Sequence, residues 1–350
     1  MEKDFHFFTI YALARSAGFK SDNAHTIAYA SQHTDDAKYE HALDFENGGR
    51  FQQVLTAHKY LDLDSLSKEV CYRIWAPFHF LPGDVGVEFY ERMLTRQGST
   101  VGQRLLDDIL ASPWKPYLLH RLGIFLHTYA DTWSHQNFLG LQRDEINDVK
   151  SLKVVGVGSN TLESIFEKLK QDVLEYLAPT LGHTQAGNIP DEPYREWKYR
   201  NYYGKSFHIF NVERALDAAR SCYQALTKFL GRFPALCIAE ALPWHEIAGT
   251  IEQLFKTKDD LNGRCEAWRQ AIASGGMKFG PEGCDSNLIY QDREWFKQAV
   301  TVEKGEEGKD LYTRNPGFET SHWKYFHDAA AFHSFTVLHE VLPEHGMICG

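Results

Sequence analysis

The sequence predicts a mainly α-helical protein, arranged as a multi-helix bundle with its functional loops at one end. Apolar residues recur at helical spacing along most of the 350 residues, whereas the two-residue alternation of a strand is scarce and is suggested only at residues 153–157. No linker, charge block or fixed-period repeat divides the chain. We therefore expect one all-α domain over residues 1–350, in which the helices of residues 201–350 pack on a core formed by residues 1–200.

The helices are expected to follow one another between breaker residues. The first covers residues 5–17 and stops at Gly18, and the next begins near Ser21 and continues to about residue 42. Two shorter helices, at 64–73 and 84–96, are separated by the segment APFHFLPGD. The remaining helices are predicted over residues 100–111, 116–138, 160–177, 206–230, 243–256, 258–274, 291–300 and 321–342.

Composition and charge argue against some classes of function. The 37 Lys and Arg residues and 47 Asp and Glu residues give a net charge of −10, and the basic residues are scattered, which argues against a broad nucleic-acid-binding surface. The 17 His, 23 Phe, 17 Tyr and 8 Trp residues suit an aromatic core with a His-lined pocket. The six cysteines form no CxxC pair, and the N-terminal segment MEKDFHFFTIYALARSAGF has no sustained apolar stretch. We therefore expect reduced thiols, no transmembrane segment and a cytoplasmic protein.

The segment LHTYADTWSHQ, from Leu126 to Gln136, carries the strongest functional signal. It places His127, Asp131 and His135 four residues apart on a predicted helix. Each step turns about 40° around the axis, so the three side chains share one stripe about 80° wide. Two imidazoles that flank a carboxylate at this spacing can converge on a divalent cation, zinc above all, with the carboxylate free to bridge two ions. The alternative is a buried helix whose His and Asp side chains satisfy one another by hydrogen bonding.

Further His and Asp residues lie in predicted helices and stiff loops elsewhere in the chain. They are His6 in the first helix, Asp35 and Asp36 in the second, His79 in the proline-flanked segment WAPFHFLPG, and His183 and Asp191 in the Gly-rich loop LGHTQAGNIPDEPY. Each alone is more simply explained as a hydrogen-bonded or solvent-exposed side chain. Their significance therefore depends on whether they converge on the helical stripe.

Taken in chain order, these residues resemble the ligand series of the zinc-dependent phospholipase C and single-strand nuclease superfamily, whose members are all-α enzymes. That superfamily assembles a trinuclear zinc site from an N-terminal amine with an early His, then an Asp, a His, an HxxxD pair, another His and a late His paired with an acid. The resemblance covers about the first 200 residues. The phrases DFHFFTIYALARSAGF, IAYASQHTDDA, PFHFLPG, LHTYADTWSHQNFLG and GHTQAGNIPDEPY also look like an uncharacterised bacterial family of unknown function, over most of the chain.

The superfamily resemblance implies a bundle of the zinc-dependent phospholipase C type with three groups of ligands. One zinc would be held by Asp35 or Asp36 together with His79, His127 and Asp131. A second zinc would be held by His135 and His183, with Asp191 as a further candidate ligand. A third zinc would be held by His6 and would share Asp131. The chain departs from the family pattern at Gly187, where the family has an acid four residues after its late His, and at Met1, where it has an N-terminal Trp. Asp4 is the substitute that we expect for the amine of that Trp. Two ions are therefore expected, with one or three as alternatives to two, and manganese or iron as alternatives to zinc.

The function that follows is hydrolysis of a phosphate ester by a metal-activated water, with Asp131 as the bridging ligand. The substrate would be a phosphodiester or phosphomonoester of a small molecule or a lipid. The chain has no GxSxG motif, so a nucleophilic serine is not expected. One alternative is a catalytically silent binding or scaffold protein whose helices are tied together by metal. Another is an HD-type phosphohydrolase, for which His327-Asp328 is the only His-Asp dipeptide in the sequence.

Overall fold

The computed structural model describes residues 1–57, 67, 70–156, 181–280 and 282–349. Helices account for 55% of the structure and strands for 12%. The strands of the described residues form three small antiparallel sheets. The fold is therefore mixed α/β, and the expected all-α bundle is wrong. No helix in the described ranges is long and apolar enough to cross a membrane.

The helices are labelled in chain order. They are α1 (Ile10–Ala17), α2 (Ser21–Asp36), α3 (Ala76–Phe78), α4 (Phe89–Arg92), α5 (Thr100–Ala111), α6 (Leu118–Ser134), α7 (Asp144–Asn147), α8 (Asn211–Arg232), α9 (Trp244–Phe255), α10 (Leu261–Ala273), α11 (Glu294–Ala299), α12 (His322–Phe335) and α13 (Leu342–Glu344). Segments of π-helix precede α1 and α3 and follow α12, at Asp4–Thr9, Cys71–Trp75 and Thr336–Val341.

Short strands account for the difference from the predicted fold class. They are β1 (Ala42–Asp44), β2 (Arg50–Gln52), β3 (Lys150–Val154), β4 (Glu196–Arg200), β5 (Ser206–Phe210), β6 (Val300–Lys304) and β7 (Asp310–Arg314). They pair as β1-β2, β3-β4-β5 and β6-β7. The strands have three to five residues and bury few side chains, so their alternation is too brief to be distinguished from helical periodicity. The whole of β5 falls within a segment that was predicted to be helical.

Several predicted helices have different limits in the structure. Helix α2 ends at Asp36 and not near residue 42, because the chain leaves the helix there and enters β1. The helix predicted over 84–96 is reduced to α4, since Asp84 and Gly86 have positive φ angles of 54° and 126° that a helix does not tolerate. The helix predicted over 160–177 lies outside the described residues, as does most of the one predicted over 64–73.

Helix α6 is the central helix of the fold. All 17 of its residues are buried, and it packs against α2, α8 and α12. Gly123 permits a close contact with α2, because a Cβ atom at this position would lie 2.3 Å from the carbonyl oxygen of Ile27 and 2.8 Å from Cβ of Ala30. The same contact between the two helices brings Asp35, near the end of α2, beside His127 of α6.

An ion pair joins the later part of the chain to the N-terminal segment. The buried guanidinium of Arg264, on α10, donates a hydrogen bond of 2.7 Å to the carboxylate of Asp4 and also pairs with Glu2. Arg264 further donates to the carbonyl oxygen of Asp259 at 2.9 Å. Because charge-assisted hydrogen bonds of this kind are directional, they hold the first turn of the chain in one position over α6.

Replacing Gly123 with Ala should lower the free energy of unfolding by about 1–3 kcal/mol, because the added methyl group must displace the backbone of α2. Gly249 of α9 offers the matched control, since a Cβ atom there would meet nothing within 4 Å. The variant G249A should be neutral or more stable by up to about 1 kcal/mol. Urea denaturation of both variants measures the difference. Equal stabilities would contradict the close packing of α2 on α6.

Candidate metal centre

The predicted stripe lies at the carboxyl end of α6. His127 and Asp131 occupy its last two turns, His135 is its C-cap residue, and all three side chains are buried. The other candidate ligands come from the π-helical segment before α1, the end of α2, the residue after α3 and the loop before β4. They form three groups, and the ligand atoms of each group lie within 4.8 Å of one another. The first group is Asp35, His79 and His127, the second is His135, His183 and Asp191, and the third is His6, His127 and Asp131.

Five distances among ligand atoms around His127 are close to the spacing of a tetrahedral metal site. Nε2 of His127 is 3.2 Å from Nδ1 of His79 and 3.3 Å from Oδ2 of Asp131. Nδ1 of His79 is 3.4 Å from the same carboxylate oxygen. Oδ1 of Asp35 is 3.7 Å from the His127 nitrogen and 3.8 Å from the His79 nitrogen. A tetrahedral zinc ion with bonds of about 2.1 Å separates its ligand atoms by about 3.4 Å. The residues therefore fit a divalent ion of this size.

Backbone carbonyl groups determine which ring nitrogen of three histidines faces the centre. His79 donates from Nε2 to the carbonyl oxygen of Thr56 at 2.8 Å, and His135 donates from Nδ1 to the carbonyl oxygen of His79 at 2.8 Å. His183 donates from Nδ1 to the carbonyl oxygen of Gly187 at 3.0 Å. Because a carbonyl oxygen only accepts, the other nitrogen of each neutral ring carries a lone pair. Lone pairs that face carboxylate oxygens repel them unless a cation lies between, and metal-binding histidines are oriented in this way.

Only one of the two adjacent aspartates at the end of α2 faces this group. Asp35 does so, whereas Asp36 accepts a hydrogen bond of 2.7 Å from the hydroxyl of Tyr290 and one of 3.1 Å from the amide of Gln32. Burial raises the pKa of the Asp36 carboxyl, and these hydrogen bonds offset the effect only in part. Asp35 therefore belongs to the centre, whereas the carboxylate of Asp36 is held beside it by hydrogen bonds from Tyr290 and Gln32.

His135, His183 and Asp191 form a second group. Nε2 of each histidine lies 3.4 Å from an oxygen of the Asp191 carboxylate. Two 3₁₀ turns, Thr184–Ala186 and Ile189–Asp191, fold the chain back on itself, so the eight-residue separation of His183 from Asp191 does not keep them apart. An acid four residues after the late His is therefore not needed to complete this group.

Phe80 holds the loop of His183 against α6. Its ring stacks on that of His135, with centroids 4.5 Å apart and an interplanar angle of 21°. Gly182 has a φ of 53°, and a Cβ atom there would lie 2.2 Å from Cζ of Phe80. Only glycine allows the loop to pass so close to the ring in this conformation. The position of His183 therefore depends on Gly182.

The N-terminal amine contacts the centre, although Asp4 was expected in its place. Nε2 of His6 lies 3.1 Å from Oδ1 of Asp131, and the α-nitrogen of Met1 lies 2.7 Å from the same oxygen. The amine is also 3.0 Å from Oδ1 of Asp191. The expectation for Asp4 is wrong, because the buried guanidinium on α10 binds its carboxylate. Among the described residues, Nδ1 of His6 has no hydrogen-bond partner, and Nε2 is the ring nitrogen that faces the carboxylate of Asp131.

The carboxylates of Asp131 and Asp191 stay ionised, and the imidazoles of His6 and His183 stay neutral. Burial alone would raise the pKa of Asp131, but the Met1 ammonium and three surrounding imidazoles hold it well below its usual range. The Met1 ammonium and His183 likewise outweigh burial and lower the pKa of Asp191. Burial lowers the pKa of His6 and of His183 to about 4. Anionic oxygens and neutral imidazoles are the protonation states in which these groups bind metals.

A cavity of about 440 Å³ opens onto the centre. Its walls include ligand residues from the first and second groups, and the further lining residues Lys3, Lys38, Trp75 and Tyr290. The His-Asp dipeptide lies elsewhere. Nδ1 of His327 accepts a hydrogen bond from the backbone of Val54 at 3.0 Å, and Asp328 pairs with a lysine of its own helix at 2.6 Å. This dipeptide therefore takes no part in the centre.

Comparison with known proteins adds a family assignment. The family of unknown function DUF6765 matches residues 1–341. The chain belongs to this family. The expected resemblance to a family of unknown function is thereby confirmed, whereas no curated protein and no solved structure matches the chain. The chemistry of this DUF6765 protein is therefore argued from its own side chains.

The adjacent aspartates of α2 provide a matched pair of variants. D35N should reduce the zinc bound by the DUF6765 protein by about one ion per chain, because it removes a charged ligand from the group around His127. D36N should leave the zinc content unchanged, because the Asp36 carboxylate is bound to Tyr290 and Gln32. Elemental analysis after equilibrium dialysis measures both. An equal loss in the two variants, or none in either, would contradict this assignment.

Proposed function

We propose that this protein is a metal-dependent hydrolase of phosphate esters. The observation that carries the proposal is the position of Asp131 between groups of ligand atoms. Its Oδ2 atom faces the nitrogens of His79 and His127, and its Oδ1 atom faces His6. A carboxylate with its two oxygens directed to separate donor sets is the ligand that bridges neighbouring ions in hydrolases with two or more metals.

Each group supplies imidazole nitrogen and carboxylate oxygen, the donors that suit zinc and, as alternatives, manganese or iron. The ligands would be Asp35, His79, His127 and Asp131 for one ion, His135, His183 and Asp191 for a second, and His6 with the shared Asp131 for a third position. Ions bound there would supply Lewis-acid activation of water and would neutralise charge on the phosphate group.

The difference between the groups favours an enzyme over a scaffold. Four side chains, Asp35, His79, His127 and Asp131, offer ligand atoms to the first position, and four protein ligands are typical of structural metal sites. The second group offers three protein ligands, and His135, His183 and Asp191 all line the cavity, so this position has room for water or phosphate. A catalytically silent protein would not account for the absence, among the described residues, of a fourth protein ligand in the second group or for a cavity that ligands of both groups line. The HD-type alternative is disfavoured because His327 and Asp328 lie outside the centre.

The other side chains of the cavity suit a small phosphate ester. Lys3 and Lys38 line it and offer ammonium groups to phosphate oxygens, while Trp75 and Tyr290 give it aromatic walls for the rest of the substrate. Phe80 covers one face of the His135 ring and keeps water from it. The volume of about 440 Å³ accommodates a small monoester or diester, or the headgroup portion of a lipid.

Changing Asp131 to Asn tests the bridging role. The isosteric amide removes the negative charge shared between the groups, so kcat/KM for an aryl phosphomonoester or a bis-aryl phosphodiester in the presence of zinc should fall by about 100-fold or more. D107N provides the control, because Asp107 is exposed on α5, outside the cavity lining, and its carboxylate accepts a hydrogen bond from Gln103. Full activity of D131N, or wild-type protein that binds zinc yet hydrolyses neither ester, would count against the proposal.

A further inference from the structure

The sheet β3-β4-β5 carries a cluster of basic residues on its exposed face. Lys153, Lys198 and His208 follow one another across the three strands, and Lys150 lies opposite Arg200 in a neighbouring row. All five side chains are exposed. The chain as a whole has a net charge of −10. The fold therefore collects on one face basic residues that are scattered in the sequence.

The pairing of these residues does not help to hold the sheet together. Lys150 faces Arg200 and Lys153 faces Lys198 as direct neighbours on antiparallel strands, and like charges in such positions destabilise a sheet. Lys150 and Lys153 are three residues apart on β3, so their side chains would face opposite sides of the sheet if the strand were regular. The register shifts between them, at Ser151 with a φ of 53°, and this bulge brings both onto the exposed face. An anionic partner would relieve the repulsion that results.

Carboxylates of the protein neutralise only part of this cluster. Asp148 pairs with Lys150 at 2.9 Å, and Glu196 pairs with His208 at 2.7 Å. The basic residues that have no carboxylate partner in the described part of the chain are Lys153, Lys198 and Arg200. A block of unpaired positive charge therefore remains in the centre of the face.

Aromatic side chains extend beyond the cluster at the turn between β4 and β5. Tyr202 and Tyr203 are 49% and 73% exposed, and Lys205 follows them. Nζ of Lys150 lies 5.1 Å from the centre of the Tyr202 ring. Tyrosines with lysines beside them suit the interface of a bilayer, where the ring enters the headgroup layer and the ammonium group meets the phosphates.

We propose that this face of the sheet docks the protein onto the surface of an anionic phospholipid bilayer. The basic residues form a compact block over two adjacent rows, which matches a charged plane. A single-stranded nucleic acid would instead need a track of cations with open aromatic faces for its bases. Here the rings of His208 and Phe210 pack on each other, with centroids 4.4 Å apart, and a lysine lies over Tyr202. The proposal does not depend on the activity of the metal centre.

Sedimentation of the full chain with lipid vesicles tests this proposal. Leaving calcium and magnesium out of the buffer excludes lipid binding bridged by those ions and leaves any metal of the protein in place. The protein should pellet with vesicles of phosphatidylcholine that contain about one third phosphatidylserine, and not with pure phosphatidylcholine. Rising potassium chloride should release it, because salt screens the attraction.

Charge reversal at one position separates docking from folding. K153E should weaken binding to the anionic vesicles by about 25-fold, since each basic residue near such a surface contributes about fivefold and reversal changes two charges. The same variant should melt at the wild-type temperature or above, because the new carboxylate faces Lys198. K228E, with the same charge change on an exposed position of α8, should weaken binding by about twofold at most.

Three results would overturn the proposal. They are equal binding to neutral and anionic vesicles, an affinity for anionic vesicles that K153E and K228E lower equally, and the absence of vesicle binding altogether. Anisotropy of a fluorescent single-stranded oligonucleotide gives a further comparison. Tight binding that K153E abolishes, without any binding to vesicles, would assign the face to nucleic acid instead.

Discussion

A buried carboxylate surrounded by imidazole nitrogens is the feature on which the rest of this structure depends. Asp131 is 1% exposed, in a helix whose residues are all buried. An ionised group at such a depth costs several kcal/mol unless opposite charge compensates it. The Met1 ammonium, 2.7 Å from Oδ1 of Asp131, supplies one such charge, whereas His79 and His135 each direct a ring nitrogen to a backbone carbonyl instead of to the carboxylate. A divalent cation satisfies the carboxylate and the imidazole lone pairs together.

The elements that meet at this carboxylate come from distant parts of the chain, so ion binding and tertiary structure are linked. Helix α2 reaches α6 because Gly123 has no side chain, and the first turn of the chain is held there by Arg264 on α10. The loop of His183 is placed by Gly182 and Phe80. Any ion that binds the assembled centre more tightly than the unfolded chain stabilises all of these contacts at once. The centre is therefore both the proposed reactive site and a junction of the fold.

Helical periodicity explains how much of the centre could be predicted from sequence. His127, Asp131 and His135 are separated by steps of about one helical turn, and a pattern of that kind can be recognised from the sequence alone. The choice between Asp35 and Asp36 does not, because it is made by the hydroxyl of Tyr290, a residue far along the chain. The hydrogen bonds by which backbone carbonyls orient the imidazoles cannot be predicted from residue type, because every residue carries a backbone carbonyl.

Other features depend on contacts that a local pattern does not contain. The amine of Met1 was discounted in favour of Asp4, since the binding of Asp4 to Arg264 joins residues 260 positions apart. Apart from β3, which overlaps the alternation noted at residues 153–157, the strands of the described sheets escaped prediction because none exceeds five residues and most of their side chains are exposed. The basic face of β3-β4-β5 arises only when a bulge and two turns align residues that the sequence separates.

Anomalous diffraction at the zinc absorption edge, from crystals grown with zinc, tests the central claim most directly. The account predicts anomalous peaks about 2.0–2.2 Å from Nε2 of His127 and Nδ1 of His79, and from Nε2 of His135 and His183, with one Asp131 oxygen in the coordination sphere of the first. The same data collected below the edge should lose these peaks. Crystals without anomalous density at either group, at zinc concentrations that load surface sites, would contradict the claim that these side chains form a metal centre.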